Sequence, residues 1–377
     1  MPFEYVGTFE RFLQLESEWD ELEARSACHV FQNYRFLRSW LETAARHTNV
    51  RPAVVLYREE GVLRAAFPGC VTTRMGIPNL TWLGGLYIVD YGDVVFDKAA
   101  NMPLVDVLDR VFEVLKKRLR FHVCFLNNVR EDAQIFPYLE RHFETYRAEV
   151  APYIQLSGDF AQYVESLKIF RKNMKRDTLR RIKRLSAAGT LEFRVVGHNE
   201  PALEDIVTAF LDQKERRLRD TGDVGVTSLP GYDEFLFSEA RANRYAHISY
   251  LALDGEAIAV HFGYLYNGRM HWYMPTYDSR YAAYSPGRVL IYYLLEDCFA
   301  NGVAIFDFSI GVEQYKYEWT RDEVHLKSFV RKGAFARMFG YLLRGTDRLS
   351  LARRLPPAIR QPLSHVRKAS TTPNGSA

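Results

Sequence analysis

Cysteine is scarce in this 377-residue chain: Cys28, Cys70, Cys124 and Cys298 are widely scattered, form no CxxC pair and have no histidine cluster beside them. That spacing excludes a zinc site and a disulfide framework, so the four read as buried reduced thiols and no metal is expected. Long apolar runs are absent too, none reaching the ~18 residues that a bilayer span requires. The opening Met1-Pro2-Phe3-Glu4 lacks the basic region and the apolar run of a secretory leader. The expected location is therefore cytoplasmic, with the inner membrane face as a peripheral contact. Acid is missing near the other end, where residues 331 to 368 carry many arginines against the single acid Asp347.

Apolar and aromatic residues are plentiful. At 47% hydrophobic and 14% aromatic, the chain can fill two packed cores, which its length favours. The net charge of +4 hides an uneven distribution, with glutamate concentrated in residues 4 to 23 and a strongly basic stretch at 168 to 184. Such asymmetry points to an anionic partner at the basic segments.

The chain reads as two halves with one order of elements. In the first, Ala53 to Tyr57 and Val62 to Thr72 form a strand hairpin, and Asn79 to Phe96 adds strands. A helix follows, with Val105, Leu108, Val111, Phe112, Leu115 and Leu119 on one face, and then the apolar strand Phe121 to Leu126. Pro152 marks a boundary, after which Tyr153 to Leu156 reads as a strand. The next segment predicts a long basic helix with Leu167, Phe170, Met174, Thr178, Ile182 and Leu185 as its stripe and Gly189 as its end. A strand at Leu191 to Val196 and helices at Pro201 to Leu218 and Tyr232 to Ala242 come next. The meander Ile248 to Leu253, Glu256 to Tyr266 and Arg269 to Tyr277 turns at Asp254-Gly255 and Asn267-Gly268. The helix Gly287 to Ala300 and the strand Ala304 to Phe308 complete the second half. Expected domains are 1–152, 153–333 with the basic helix, and a tail at 334–377 that ends in a Ser-, Thr-, Pro- and Gly-rich stretch.

Chemistry concentrates at residues 277 to 319. Ser285 is a candidate N-cap, Pro286 suits the first helical position, and Gly287 lets a ligand approach the backbone, so the free N–H groups of that turn suit an anion, with Arg288 adding charge. Pro275 cannot donate a ladder hydrogen bond, so strand pairing is expected to fail near it. Aromatic, acid and lysine together look like a transfer site, which needs a base, donors for developing negative charge and an acid for the leaving group. Asp307 and Glu313 are candidate bases, Tyr281, Tyr284 and Tyr315 candidate acids or donors, and Lys316 a candidate electrostatic clamp. Asp307 in an apolar strand requires a hydrogen-bonding partner, either a neighbouring backbone or substrate. Lys316 reads otherwise as a solvated charge. His261, alternating with apolar neighbours, reads as a pocket wall or a satisfied core residue, and His271 sits similarly. Asp90, Tyr91 and Asp93 follow Gly84-Gly85 as acceptor-binding candidates or a plain turn.

The string Tyr281, Tyr284, Ser285 to Gly287, Phe306 to Phe308, Gly311, Tyr315, Lys316 and Trp319 resembles GNAT-like acyltransferases of the CelD/BcsL type, relatives of the FemAB aminoacyltransferases. The resemblance covers about half the chain. It implies a mixed α/β fold of tandem GNAT-like domains, each a central mixed sheet flanked by helices, joined by the basic helix. It further implies acetyl-CoA or another acyl-CoA as co-substrate, its pyrophosphate at Ser285 to Arg288, and an amino sugar of a cell-surface polysaccharide or its precursor as acceptor. It favours Lys316 as a transfer-site residue and places Tyr281, Tyr284, His261 and Asp90 near substrate. The loop of Gln or Arg followed by Gly-x-Gly or Gly-x-Ala, found in typical acetyltransferases, is absent. Two alternatives stand beside this reading. One is an aminoacyl-tRNA-dependent transferase, the only case in which nucleic acid is a partner. The other is a non-catalytic effector of exopolysaccharide production, whose tail, mixing arginines with Met338, Phe339, Tyr341 and Leu342, binds a cyclic dinucleotide or an anionic membrane surface.

Overall fold

The computed structural model describes residues 2–74, 77–119, 121, 123–169, 172–221 and 229–331. The first half runs β1 (Phe3–Val6), α1 (Phe9–Leu13), α2 (Glu16–Ala24), α3 (Tyr34–Glu42), β2 (Arg51–Pro52), β3 (Val54–Glu59), β4 (Val62–Phe67), β5 (Gly69–Arg74), β6 (Ile77–Trp82), α4 (Gly85–Ile88), β7 (Val95–Phe96), α5 (Leu104–Arg118), β8 (Val123–Arg130), α6 (Phe136–His142) and β9 (Phe143–Gln155). The second runs α7 (Phe160–Ser166), α8 (Met174–Ala188), β10 (Leu191–Val196), α9 (Leu203–Thr221), α10 (Tyr232–Ala242), β11 (Ala246–Leu253), β12 (Glu256–Tyr266), β13 (Arg269–Tyr277), α11 (Pro286–Ala300), β14 (Ile305–Asp307) and β15 (Glu323–Arg331).

Local chemistry accounts for many boundaries. Asp254-Gly255 and Asn267-Gly268 both take positive φ, the pair of left-handed residues that lets a two-residue hairpin follow the strand twist. Pro68 divides the expected run Val62 to Thr72 into β4 and β5, since it has no N–H for the ladder. On α5, Leu108, Val111, Phe112 and Leu115 form the buried face as expected, and Val107 joins them in place of Val105, which is exposed. The expected long basic helix is two helices: Asp159 caps α7 through Gln162 N, a 3-10 turn covers Leu167–Ile169, and α8 begins only at Met174 after a non-helical Asn173. Phe170 lies outside the described residues.

Among the described residues, one mixed sheet has the order β10-β11-β12-β13-β14-β9-β15-β8-β6-β5-β2, and β1-β3-β4-β7 form a second, smaller sheet. The long strand β9 joins the halves. Its first part pairs with β15, while its end pairs with β14 through Gln155↔Ile305, Ile154↔Phe306 and Tyr153↔Asp307. The final strand β15 returns from the second half to lie between β9 and β8. Burial is shared as well, because one core cluster runs from Trp19 and Phe36 to Phe262 and Tyr264. Phe36 sits 5.5 Å from Phe235 and 5.8 Å from Tyr264 by ring centroids.

Candidate active site

Two parallel strands part at the centre of the second half. β13 and β14 are in register at Arg269↔Ile305, Met270↔Phe306 and His271↔Asp307, and pairing stops there. The ladder between β12 and β13 slips at the same level, where Gly263 alone faces Trp272 and Tyr273 between the pairs Phe262↔Met274 and Tyr264↔His271. A bulge bends its strand, so β13 turns away from β14 at Trp272 rather than at Pro275, which lies in register with His261 of β12. Gly263 is required at this bulge because a Cβ there would meet the His271 carbonyl at 2.2 Å and the His261 ring at 2.3 Å.

α11 starts beside this opening. Ser285 is its first flanking residue but is left-handed, with φ 51° and ψ 59°, and its side chain caps no N–H. Its Oγ instead accepts from Arg181 Nη1 of α8 at 2.6 Å. Arg181 Nε is buried and has no partner among the described residues. Arg184, one turn along α8, lies over the Tyr284 ring at 4.9 Å. Pro286 is buried and Gly287 makes no closer than a 3.8 Å virtual Cβ contact, with Tyr277, so the backbone is approachable. Arg288 does not face this turn as a free charge: it pairs with Glu318 and donates to Met174 Sδ. The arginines that α8 brings to the helix end are thus Arg181 and Arg184, which only a fold crossing α8 over α11 could reveal. Tyr281 is half-buried, its hydroxyl donating to Glu256 at 3.4 Å.

The loop after β14 carries the remaining candidates. Asp307 is fully buried, and both its oxygens are occupied: Oδ1 accepts from Tyr91 OH at 2.6 Å and Ser309 N at 2.8 Å, Oδ2 from Arg269 at 2.9 Å and Arg130 at 3.2 Å. Burial alone would raise this carboxyl, but the facing positive groups hold it below its ordinary value of 3.8. Of those groups Arg130 and Arg269 carry the effect, because burial pushes His271 down to about 3 and so keeps it neutral. A carboxylate so engaged is poorly suited to accept an amine proton, which makes it a positioning group instead of a base.

Lys316 is buried, not a solvated charge. Its ammonium donates to Ser309 O at 3.3 Å and Ile310 O at 2.9 Å, and Glu313 lies 2.9 Å away. Glu313 itself is exposed and can exchange this contact for another. Tyr315 OH accepts from Trp272 Nε1 at 3.3 Å, and burial raises its hydroxyl well above the ordinary range, so it keeps its proton. The base candidate Glu313, the cation Lys316 and the acid Tyr315 therefore lie together past the splayed strand end.

Other predicted residues fall elsewhere. His261 is a satisfied core residue: Nε2 meets His271 O at 3.1 Å, Nδ1 meets Ser249 Oγ at 3.4 Å, and the ring stacks on Trp272 at 4.5 Å. Asp90 is buried on the first-half side. Asp93 binds three backbone N–H groups, of Val94, Gln134 and Ile135, and is a turn carboxylate. Tyr91 reaches the second half through its hydroxyl, which donates to Asp307. The four cysteines are buried and unpaired. Among the described residues no His, Cys, Asp and Glu group is arranged to hold a metal, and no helix is long and apolar enough to cross a membrane. The tail 334–377 lies outside the described residues.

Residues 172–317 match the family model described as the acetyltransferase (GNAT) domain. No curated protein matches the sequence. Among solved structures, FemX is similar at 9% identity and a TM-score of 0.63, over 91% of this chain and 100% of that one. A C-terminal domain described as that of a lysylphosphatidylglycerol synthetase from Agrobacterium fabrum is similar at 11% identity and a TM-score of 0.57, over 90% of this chain and 99% of that one. L-PGS from Bacillus licheniformis is similar at 12% identity and a TM-score of 0.51, over 82% of this chain and 95% of that one. At such identities these likenesses concern the fold. Residues 172–317 carry an acetyltransferase (GNAT) domain, which makes the chain an enzyme of the N-acyltransferase class, and its mixed α/β fold is like that of FemX.

Proposed function

We propose that the protein transfers an acyl group from acyl-CoA to an amino sugar of a cell-surface polysaccharide or its precursor. The observation that carries the donor half of this reading is the unpartnered, buried Arg181 Nε beside the first turn of α11. A helix N-terminus with a spare guanidinium N–H suits a pyrophosphate, and Arg184 adds a second positive group. The acyl arm then runs toward the gap between β13 and β14. The substrate amine attacks the thioester carbonyl carbon, forming the C–N bond as the C–S bond breaks. Glu313 takes the amine proton, Tyr315 donates a hydrogen bond to the sulfur that departs as thiolate, and Lys316 opposes the charge that develops on the carbonyl oxygen. The acceptor is inferred from the likeness of the Tyr281 to Trp319 string to the CelD/BcsL type.

Calorimetry of the pure protein against acetyl-CoA and free CoA tests the donor. Saturable binding that Arg181→Ala weakens supports the reading, whereas no heat with either ligand ends it. A second reading, transfer from an aminoacyl-tRNA, is favoured by the exposed Lys172 just ahead of α8 and the exposed Arg176 and Lys183 on it, which extend the positive surface beyond what a nucleotide needs. Salt-sensitive binding of aminoacyl-tRNA in place of CoA would select it. A role for the 334–377 tail at an anionic membrane or a cyclic dinucleotide is a separate proposal, tested by vesicle sedimentation and nucleotide calorimetry with and without that segment.

A further inference from the structure

We propose that the first half positions the transfer-site lysine from across the joint: Tyr91 and Arg130 act through Asp307 and the turn at Ser309 to hold the Lys316 ammonium. The inference rests on the reading of Lys316 as a transfer residue and adds the group that holds it in place.

Ser309 is left-handed, φ 56°, a conformation unfavourable for an L-residue. Its hydroxyl is buried without a partner among the described residues, so the side chain does not hold the turn. Phe308 N and Gly311 N tie its flanks to β9 through Pro152 O at 2.9 Å and Val150 O at 3.1 Å, and Ser309 itself is held by the bond from its N to Asp307 Oδ1 at 2.8 Å. The same turn aims Ser309 O and Ile310 O at Lys316 Nζ, 3.3 and 2.9 Å away. If the Asp307 carboxylate rotates, Ser309 loses its anchor and two of the three acceptors around the ammonium move.

Within the second half, Arg269 of β13 cannot set that rotation alone. Arg269 reaches only Oδ2, whereas Oδ1, the oxygen that anchors Ser309, is shared with Tyr91 OH of the first half. Tyr91 is itself fixed: its carbonyl accepts from Gln32 Nε2 at 2.6 Å, and Arg130 lies over its ring at 4.9 Å. Arg130 is locked by Asp132 through Nε and Nη2, both at 2.8 Å, which aims Nη1 at Asp307. The preceding segment is tied to the second half by Tyr273 OH, which donates to Ile88 O at 2.6 Å. Rigid support of this kind is what a reacting group requires, since a misplacement of ~1 Å can cost about 10²-fold in rate.

The test labels amines of the full chain with an acetyl N-hydroxysuccinimide ester and reads Lys316 by mass spectrometry in wild type, Tyr91→Phe and Arg130→Gln. Iodoacetamide labelling of the buried Cys70 and Cys298 reports global opening. The expected result is Lys316 labelling that rises about tenfold in both variants while both thiols stay protected, the signature of a local release. Unchanged Lys316 labelling with protected thiols overturns the inference. So does a parallel rise at Lys316 and both thiols, which would make the contacts merely structural. In a CoA-release assay with acetyl-CoA and glucosamine, Tyr91→Phe should lower kcat about tenfold and leave the KM for acetyl-CoA unchanged. Lys316→Ala in the same assay judges the underlying reading separately: wild-type turnover there removes Lys316 from the chemistry whatever the labelling shows.

Discussion

Each half has a long helix that leads into the second of two parallel strands, α5 into β8 beside β6 and α11 into β14 beside β13, yet the two helix starts are chemically opposite. In the first half the pairing covers Asn79↔Val123 and Leu80↔Cys124, and just past it Trp82 Nε1 donates to Asn127 O at 2.9 Å, stitching the strands together. Ahead of α5 the N–H groups of Asn101 and Met102 already bind the Glu59 carboxylate, and Asp106 sits in the first turn. In the second half the corresponding indole, Trp272, turns to Tyr315 on the loop after β14, the strands part, and α11 begins beside Arg181 and Arg184 with no acid in its first turn. The same architecture supplies its own anion at one end and leaves room for a foreign one at the other. A repeated fold therefore does not repeat a site. The proposed donor site belongs to the half whose helix end and strand gap stay available.

The largest expected effect tests the joint between the halves. Asp307→Asn leaves Arg130 and Arg269 facing a neutral amide in a dry interior, and unfolding in denaturant should show a loss of about 3–5 kcal/mol. Because the folded carboxyl is held below its ordinary value, that stabilisation is present at neutral pH and is lost as pH falls through the folded value. The gap between wild type and variant should hold steady above about pH 5 and narrow below it. A gap that widens in acid would mean that Asp307 is protonated in the fold.

Next in size, Lys316→Ala should reduce turnover about 10²-fold, read in a thiol-release assay at saturating donor. Since Lys316 is buried and holds two loop carbonyls, a lowered melting temperature should accompany this loss. Smaller again, Arg181→Ala should weaken acyl-CoA binding about tenfold by calorimetry, the worth of one charge-assisted hydrogen bond. The smallest effect belongs to the first half, where Glu59→Gln should lower the melting temperature by about 2 °C and leave donor affinity unchanged. If Glu59→Gln altered donor binding and Arg181→Ala did not, the roles of the halves would be reversed.

The residues that were easiest to place from sequence were those whose reason is local. The two left-handed turns of the meander, α10 at Tyr232–Ala242 and α11 with its Pro at the start depend on hydrogen bonds and periodicities within a dozen residues. His261 was ambiguous because an alternating strand shows which face a side chain takes and not what meets it there. Arg288 was singled out and Arg181 was not for a related reason. Arg288 lies next to the helix start in sequence but is claimed by Glu318, whereas Arg181 arrives from more than a hundred residues away.

By itself the sequence determined a mixed α/β chain in two similar halves, and it collected the candidate site residues between Tyr277 and Trp319. Short-range patterning suffices for that, because turn residues, caps and apolar spacing act within a few residues. Only the tertiary structure decided that β15 returns to lie between β9 and β8, that α8 crosses to the start of α11, and that Tyr91 and Arg130 converge on Asp307. These are pairings over 100 to more than 200 residues of chain, as with the 216 residues that separate Tyr91 from Asp307. Their partners are selected by burial and by the need to pair every charge taken out of water, and neither requirement leaves a mark on the spacing of neighbouring residues.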